Sequence, residues 1–189
     1  MPTRSDSSRR SVRLAHYDYS ESGHYFFTLC TVGHKSILGH VVGYKMQCSR
    51  AGDAVFEIWD SPPKHFPVIE LDAFVVMPNH VHGILFLRPP AAAGAASSAP
   101  TNPVTLGRIL RVFKSLSAAA VNRTLHRTGS VWQRNYFDHI IRSPKDLDAV
   151  RSYIIQNPAQ WQNDRENPSA LNPAPCAFEP GNTPPCDFH

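Results

Sequence analysis

The sequence predicts an α+β fold, an antiparallel sheet backed by helices of the ferredoxin-like kind, and three observations carry that prediction. Aromatic and β-branched runs at His24–Val32, Val68–Val76 and His80–Leu87 read as strands. Leu106, Ile109, Leu110, Phe113 and Leu116 recur at helical spacing. The elements then follow in the order strand, variable region, strand, strand, helix, strand, helix. With 189 residues, the chain is long enough for one domain with a proper core and two tails.

Residues 1–22 read as a flexible basic arm containing Arg4, Arg9, Arg10 and Arg13. The run His-Tyr-Phe-Phe-Thr-Leu-Cys-Thr-Val from His24 gives the first strand. From Ile37 to Ile58, Gly39, Gly43 and Ala51-Gly52-Asp53 interrupt short apolar runs, which leaves a hairpin and a helical turn both open. Met77-Pro78-Asn79 supplies a tight turn between the next two strands. Residues 89–104 are an Ala/Ser/Pro stretch without periodicity, expected to be a mobile linker. Thr105 is placed to cap the helix that follows, with Arg108, Arg111 and Lys114 off its apolar stripe. Ser130 to Ile141 gives another strand, and Ser143 caps a final helix from Pro144 to about Asn157. The catalytic domain is bounded at 23–162, and the Pro-rich residues 163–189 are expected to be disordered.

No run of about 18 apolar residues is present, so no membrane span is expected. The four cysteines (Cys30, Cys48, Cys176 and Cys186) form no Cys-x-x-Cys, which fits a reducing, cytoplasmic setting. The net charge of +4 is unevenly spread. Residues 101–142 hold seven basic groups against Asp138 alone, whereas residues 51–76 hold five acids against Lys64. A basic second half suits a polyanion, although a solvated helix face gives the same pattern.

The most informative segment is Phe74 to Phe86, an apolar strand pattern with His80 and His82 in its middle. Side chains alternate along a strand, so both imidazoles point to one face and can form two corners of a metal site. A His-x-His pair also occurs harmlessly in cores, so the pair needs a third ligand. In the final helix Tyr153 and Asn157 lie four apart and share a face. An amide oxygen from Asn157 would complete two imidazoles and a carbonyl, with a phenol one turn away. A phenol titrates near ~10 and is a poor nucleophile until a neighbouring positive charge favours the phenolate. Taken alone, the helix is read more simply, with Tyr153 packing on the sheet and Asn157 ending the helix before Pro158.

Five blocks in register change that balance: Tyr25-Phe26-Phe27-Thr28, Met77-Pro78-Asn79-His80-Val81-His82-Gly83, Phe113-Lys114-Ser115, Val131 to Arg142, and Tyr153-Ile154-Ile155-Gln156-Asn157-Pro158. Across residues 14–165 the chain resembles the REP-associated tyrosine transposases of the single-tyrosine HUH superfamily. The resemblance implies a ferredoxin-like domain that cuts and rejoins single-stranded DNA near hairpins through a covalent 5′-phosphotyrosine. It implies His80 and His82 as metal ligands, Tyr153 as nucleophile and Asn157 as third ligand. Related transposases use a glutamine at that place, which keeps Gln156 as a lesser candidate. Tyr136 competes as nucleophile but lies in a strand pattern without an amide ligand one helical turn away.

Two imidazoles and an amide suit Mn²⁺, with Mg²⁺ the abundant alternative. Arg108, Arg111, Lys114, Arg134 and Arg142 are the phosphate-contact candidates, and Trp132 and Tyr136 are candidates for stacking on unpaired bases unless they pack in the core. The expected partner is single-stranded or hairpin DNA, met by a monomer or a homodimer. The short connection before residue 143 favours a site completed within one chain. A domesticated hairpin-binding protein without cleavage is the alternative reading, and the intact His80, His82, Tyr153 and Asn157 count against it.

Overall fold

The computed structural model describes residues 17–89 and 103–170. Strands β1 (Gly23–Cys30), β4 (Ile69–Val76), β5 (His80–Leu87) and β6 (Phe137–Ile141) form one sheet, and β2 (Gly39–Val42) pairs with β3 (Lys45–Cys48) in a separate hairpin. The sheet order is β4-β5-β1-β6 with every neighbouring pair antiparallel. Helices α1 (Arg50–Trp59), α2 (Pro62–His65), α3 (Leu106–Thr124) and α4 (Pro144–Gln160) complete the order. With the hairpin set aside, the chain runs β1, α1, β4, β5, α3, β6, which is the ferredoxin-like succession the sequence predicted. Both possibilities left open for Ile37–Ile58 are realised, the hairpin first and α1 after it. Ser49 caps α1 by accepting the Gly52 N–H.

Alternation along β1 and β5 divides the protein into two layers. Tyr25, Phe27, Leu29, Val81 and Leu85 join Val55, Trp59, Ile109, Leu110 and Phe113 in one large core beneath α1 and α3. Phe26, Ile84 and Ile141 meet Val150 and Ile154 of α4 in a smaller cluster on the opposite face. Gly83 belongs to the first layer, opposite Phe27 in the register. A Cβ there would sit 2.6 Å from Phe27 Cζ and 3.1 Å from Phe74 Cδ2, so the close approach of two rings requires a glycine.

Four boundaries differ from expectation. The strand expected over Ser130–Ile141 is regular only over Phe137–Ile141, with Trp132 making an isolated bridge to Thr31. The reason is side-chain capture. The Trp132 indole donates to Ser117 Oγ at 2.9 Å, and the Lys114 ammonium takes the Gln133 and Arg134 carbonyls. Helix α4 continues through Pro158 to Gln160, because a proline removes only its own N–H and leaves the N–H groups after it able to donate one turn back. Packing begins at Tyr17, within the expected arm. Tyr19 is buried against Tyr17 and Tyr25, and the Tyr25 hydroxyl donates to the Glu21 carbonyl at 2.7 Å. Residues 163–170 are folded back onto the domain rather than part of a disordered tail, with Asp164 buried. The remainder of the arm (1–16), most of the linker (90–102) and the tail beyond 170 lie outside the described residues.

Candidate active site

The face of the sheet under α4 carries a cluster of polar groups, whereas the opposite face is mainly apolar, with Asp138 across from Phe27. His80 and His82 project from β5, beside Cys30 and Thr28 on β1. Both imidazoles are buried, His80 completely. Their Nε2 atoms lie 3.0 Å apart. Each Nδ1 is held from behind: His80 Nδ1 by Asn79 Oδ1 at 2.9 Å, and His82 Nδ1 by Thr28 Oγ1 at 2.8 Å. The Asn79 amide has a fixed orientation, because its Nδ2 donates to the His34 and Glu166 carbonyls. Its oxygen therefore faces His80, which puts the imidazole proton on Nδ1 and leaves the Nε2 lone pair directed at His82.

Helix α4 closes over this pair. The Tyr153 hydroxyl lies 3.3 Å from His82 Nε2, and its ring packs edge-on to Phe26, which itself stacks on His82. One turn on, Asn157 is 1% exposed and its amide lies against His80 and Asp164. Its Oδ1 is buried without a partner of hydrogen-bonding geometry. Gln156, by contrast, is exposed. The helix is anchored by Arg151, whose guanidinium reaches both oxygens of Asp72, the closest contact being 2.7 Å. Asp72 sits where the β4–β5 register shifts between Leu71 and Phe74.

Burial, reinforced by His34 nearby, pushes the His80 imidazole down to about 3. Burial and the adjoining His80 likewise hold His82 well below the usual histidine range. Burial raises the Asp164 carboxyl, offset in part by the Glu166 N–H and the Asn157 side chain. Two neutral imidazoles thus face each other through Nε2 beside a buried carboxylate 3.9 Å from His80 Nε2. His80, His82 and Asp164 offer ligand atoms all within 4.8 Å of one another, and such a set could hold a metal ion. The paired Nε2 atoms, the orphaned Asn157 oxygen and the mixed nitrogen and oxygen donors all fit a divalent cation. A groove of about 550 Å³ opens beside the site, between the β2–β3 hairpin and the segment after α4, lined in part by His40, Pro78, Trp161 and Asn167.

No family model matches the sequence. An uncharacterised protein of Haemophilus influenzae is 36% identical over 166 residues, covering 83% of this chain and 92% of that one. A second protein of that organism, provisionally named a REP-associated tyrosine transposase, is 26% identical over 149 residues, covering 76% and 74%. A solved structure of a REP-associated tyrosine transposase bound to a REP hairpin matches with a TM-score of 0.54 at 20% identity, covering 79% of this chain and 74% of that one. The chain is thus similar in sequence to a protein given the REP-associated tyrosine transposase name and shares the fold of the solved one.

Within this transposase fold, the four residues singled out by the sequence, His80, His82, Tyr153 and Asn157, converge on one face. Tyr136 does not join them, since it packs on the core beneath α1 and α3. Trp132 is a core residue whose indole is spent on Ser117, so it presents no ring for stacking. Among the candidate cations, Arg108 and Arg111 ride on α3, in the layer opposite the histidines, and Arg108 lies over the Phe66 ring. Lys114 is half-buried and bonded to two carbonyls, a structural task rather than a free charge. Arg134 and Arg142 are exposed. Asp164 escaped sequence reasoning because it falls in a Pro-rich stretch that shows no periodicity. The one available signal was Trp161, an aromatic just before it that now sits 6.0 Å from His80.

Proposed function

We propose that this chain is a metal-dependent endonuclease and strand transferase that cleaves and rejoins single-stranded DNA near hairpins through a covalent phosphotyrosine at Tyr153. The observation that carries this reading is the Tyr153 hydroxyl 3.3 Å from His82 Nε2, itself 3.0 Å from His80 Nε2, with the unpartnered Asn157 oxygen on the same helix. His80 and His82, with Asn157 and Asp164 beside them, would hold the divalent cation, Mg²⁺ or Mn²⁺. When bound, that cation supplies a positive charge that favours the phenolate and offsets charge growing on the phosphate oxygens.

The rest of the reaction belongs to the chain's own groups. Arg151 and Asp72 fix α4 so that the phenol stands at the edge of the histidine pair. Phe26 limits the ring to that position. Tyr153 loses its proton, its oxygen bonds to phosphorus, and the bond from phosphorus to the 3′ oxygen breaks. That oxygen leaves as a free hydroxyl, so the proton count is unchanged. Rejoining is the same step run backwards, and one phosphoester is exchanged for another without a nucleotide energy source. The solved relative is bound to a REP hairpin. For this chain, hairpin DNA with a single-stranded flank is the proposed substrate, with Arg134 and Arg142 as the phosphate contacts nearest in sequence to α4. The groove beside Trp161 has room for a nucleotide flanking the cut.

Incubation with hairpin DNA from repeats near the gene, with Mn²⁺ or Mg²⁺, tests the reading. A covalent protein–DNA adduct mapped to Tyr153, and absent only in Tyr153→Phe, is the expected result. Cleavage that survives both Tyr153→Phe and Tyr136→Phe would assign the attack to water instead. Binding without cleavage under all conditions would leave a hairpin-binding protein.

A further inference from the structure

We propose that Cys30, His34 and Glu166 form a second cation site, separate from the histidine pair, that takes a thiophilic divalent ion of the zinc class. Three segments distant in sequence meet there: the end of β1, the turn that follows it, and the stretch after α4. Glu166 Oε2 lies 3.3 Å from Cys30 Sγ and 3.1 Å from His34 Nδ1, and the three donor atoms fall within 4.8 Å of one another. Zinc bond lengths in tetrahedral geometry place sulfur, nitrogen and oxygen donors ~3.3–3.6 Å apart, so little movement is needed. One thiolate, one imidazole and one carboxylate also leave the fourth position of a tetrahedron open.

The protons account for the present arrangement. In the metal-free protein the Cys30 thiol donates to Glu166, and the His34 N–H faces the same carboxylate oxygen. Burial first, and then the charge of Glu166, push the Cys30 thiol well up, so a thiolate there calls for a cation. On binding, the thiol proton is released to solvent. The imidazole proton moves from Nδ1 to Nε2, so the Gln133 amide nitrogen, 2.9 Å from Nε2 and donating to the Thr31 carbonyl, must move aside. Thiolate and carboxylate then bring two negative charges to a dication. His34 is held at φ 51°, a left-handed conformation that side chains rarely adopt, and that conformation belongs to the same turn.

Such an ion would tie the last described segment to the sheet. The Glu166 carbonyl already accepts from Asn79, the residue that orients His80, and Asp164 lies two positions before Glu166. The site is therefore a clamp on the segment that carries Asp164 to the histidines, and it stands independently of any DNA chemistry.

The test uses the full chain, stripped with a chelator, reduced with a phosphine and titrated with Co²⁺, followed by competition with Zn²⁺. A thiolate-to-cobalt charge-transfer band saturating at one equivalent is expected. Cys30→Ser should abolish that band, and His34→Gln or Glu166→Gln should weaken cobalt binding about 10–100-fold. His82→Gln and Asn157→Ala should leave the band intact. The half-exposed His34 keeps the test meaningful should Cys30→Ser fail to fold. Absence of the band in the unmodified chain would overturn the proposal. So would its persistence in folded Cys30→Ser, or its loss in folded His82→Gln.

Discussion

The two faces of the sheet use the same strands for opposite purposes. Under α1 and α3, β5 presents Val81, Gly83 and Leu85 to a closed apolar core. Under α4 the same strand presents His80 and His82, buried just as deeply but surrounded by Thr28, Asn79, Asn157 and Asp164. One face gains stability from burial, and the other spends some of it holding polar groups out of water. Strand alternation makes that division possible without lengthening the chain. Substitutions on one face should therefore damage folding and spare the site's metal affinity, and those on the other should do the reverse.

Tyr153→Phe gives the largest separation. Removing one hydroxyl at a half-buried position should lower adduct formation about a thousand-fold or more, because that hydroxyl is the proposed nucleophile. The melting temperature should stay within about 2 °C, since the ring keeps its contacts with Phe26 and His82. A large loss of stability would show that the hydroxyl serves the fold, and the contrast between faces would fail.

Gly83→Ala tests the other face. The added methyl meets Phe27 and Phe74, neither of which can withdraw within a packed core. A cost of about 1–3 kcal/mol is expected in urea unfolding, with cation affinity of the folded protein unchanged. Impaired metal binding at full stability would mean that β5 transmits strain across the sheet.

Much of this division is legible in the sequence and some is not. His80 and His82 announce their shared face through spacing of two, and Tyr153 and Asn157 through spacing of four, because these periods are fixed by backbone geometry. Lys114 and Trp132 were harder to place, since nothing local shows that an ammonium will be spent on two carbonyls or an indole on Ser117. Asp164 was invisible for a related reason. Its burial depends on a segment folding back over β5, a contact made at long range by the Glu166 carbonyl and Asn79. The basic half of the chain shows its charge in the sequence but not its direction, because Arg108 and Arg111 share a helix whose apolar stripe packs on the layer away from the histidines.

Acid should sharpen the contrast next. In the metal-free protein His80 and His82 stay neutral well below the histidine range, whereas the unfolded chain protonates them near ~6.5. The unfolded state then binds more protons, so the stability these residues contribute is present above ~6.5 and is lost as pH falls toward about 3. Each histidine should cost at most about 1.4 kcal/mol per pH unit over that window. Asp164, whose carboxyl is raised, acts in the opposite direction and offsets part of the loss. Chelator-treated protein should therefore melt at lower temperature at pH 5.5 than at pH 7.5, and His80→Gln should flatten the difference. An unchanged slope in that variant would show that the acid sensitivity arises elsewhere.

Asp72→Asn should have only a small effect on stability and bears on how the two layers are joined. The Arg151–Asp72 pair bridges α4 to the irregular part of β4. Burial pushes Asp72 up, but its bonds from Arg151 and the Ala73 N–H leave it below the usual carboxylate range. Arg151 is 41% exposed, so solvent screening limits the pair to about 0.5–1 kcal/mol of stability. Its larger consequence should be geometric. Arg151 lies two residues before Tyr153, so loosening it lets α4 shift and the phenol leave its 3.3 Å approach to His82. Adduct formation should fall about tenfold or more while the melting temperature barely changes. The charge-reversed pair Asp72→Arg with Arg151→Asp should recover part of the lost rate if the bridge positions the helix. Equal losses in the single and reversed variants would instead assign that task to the apolar contacts of Val150 and Ile154. The polar face would then depend on its own small core for alignment, as the opposite face depends on its large one.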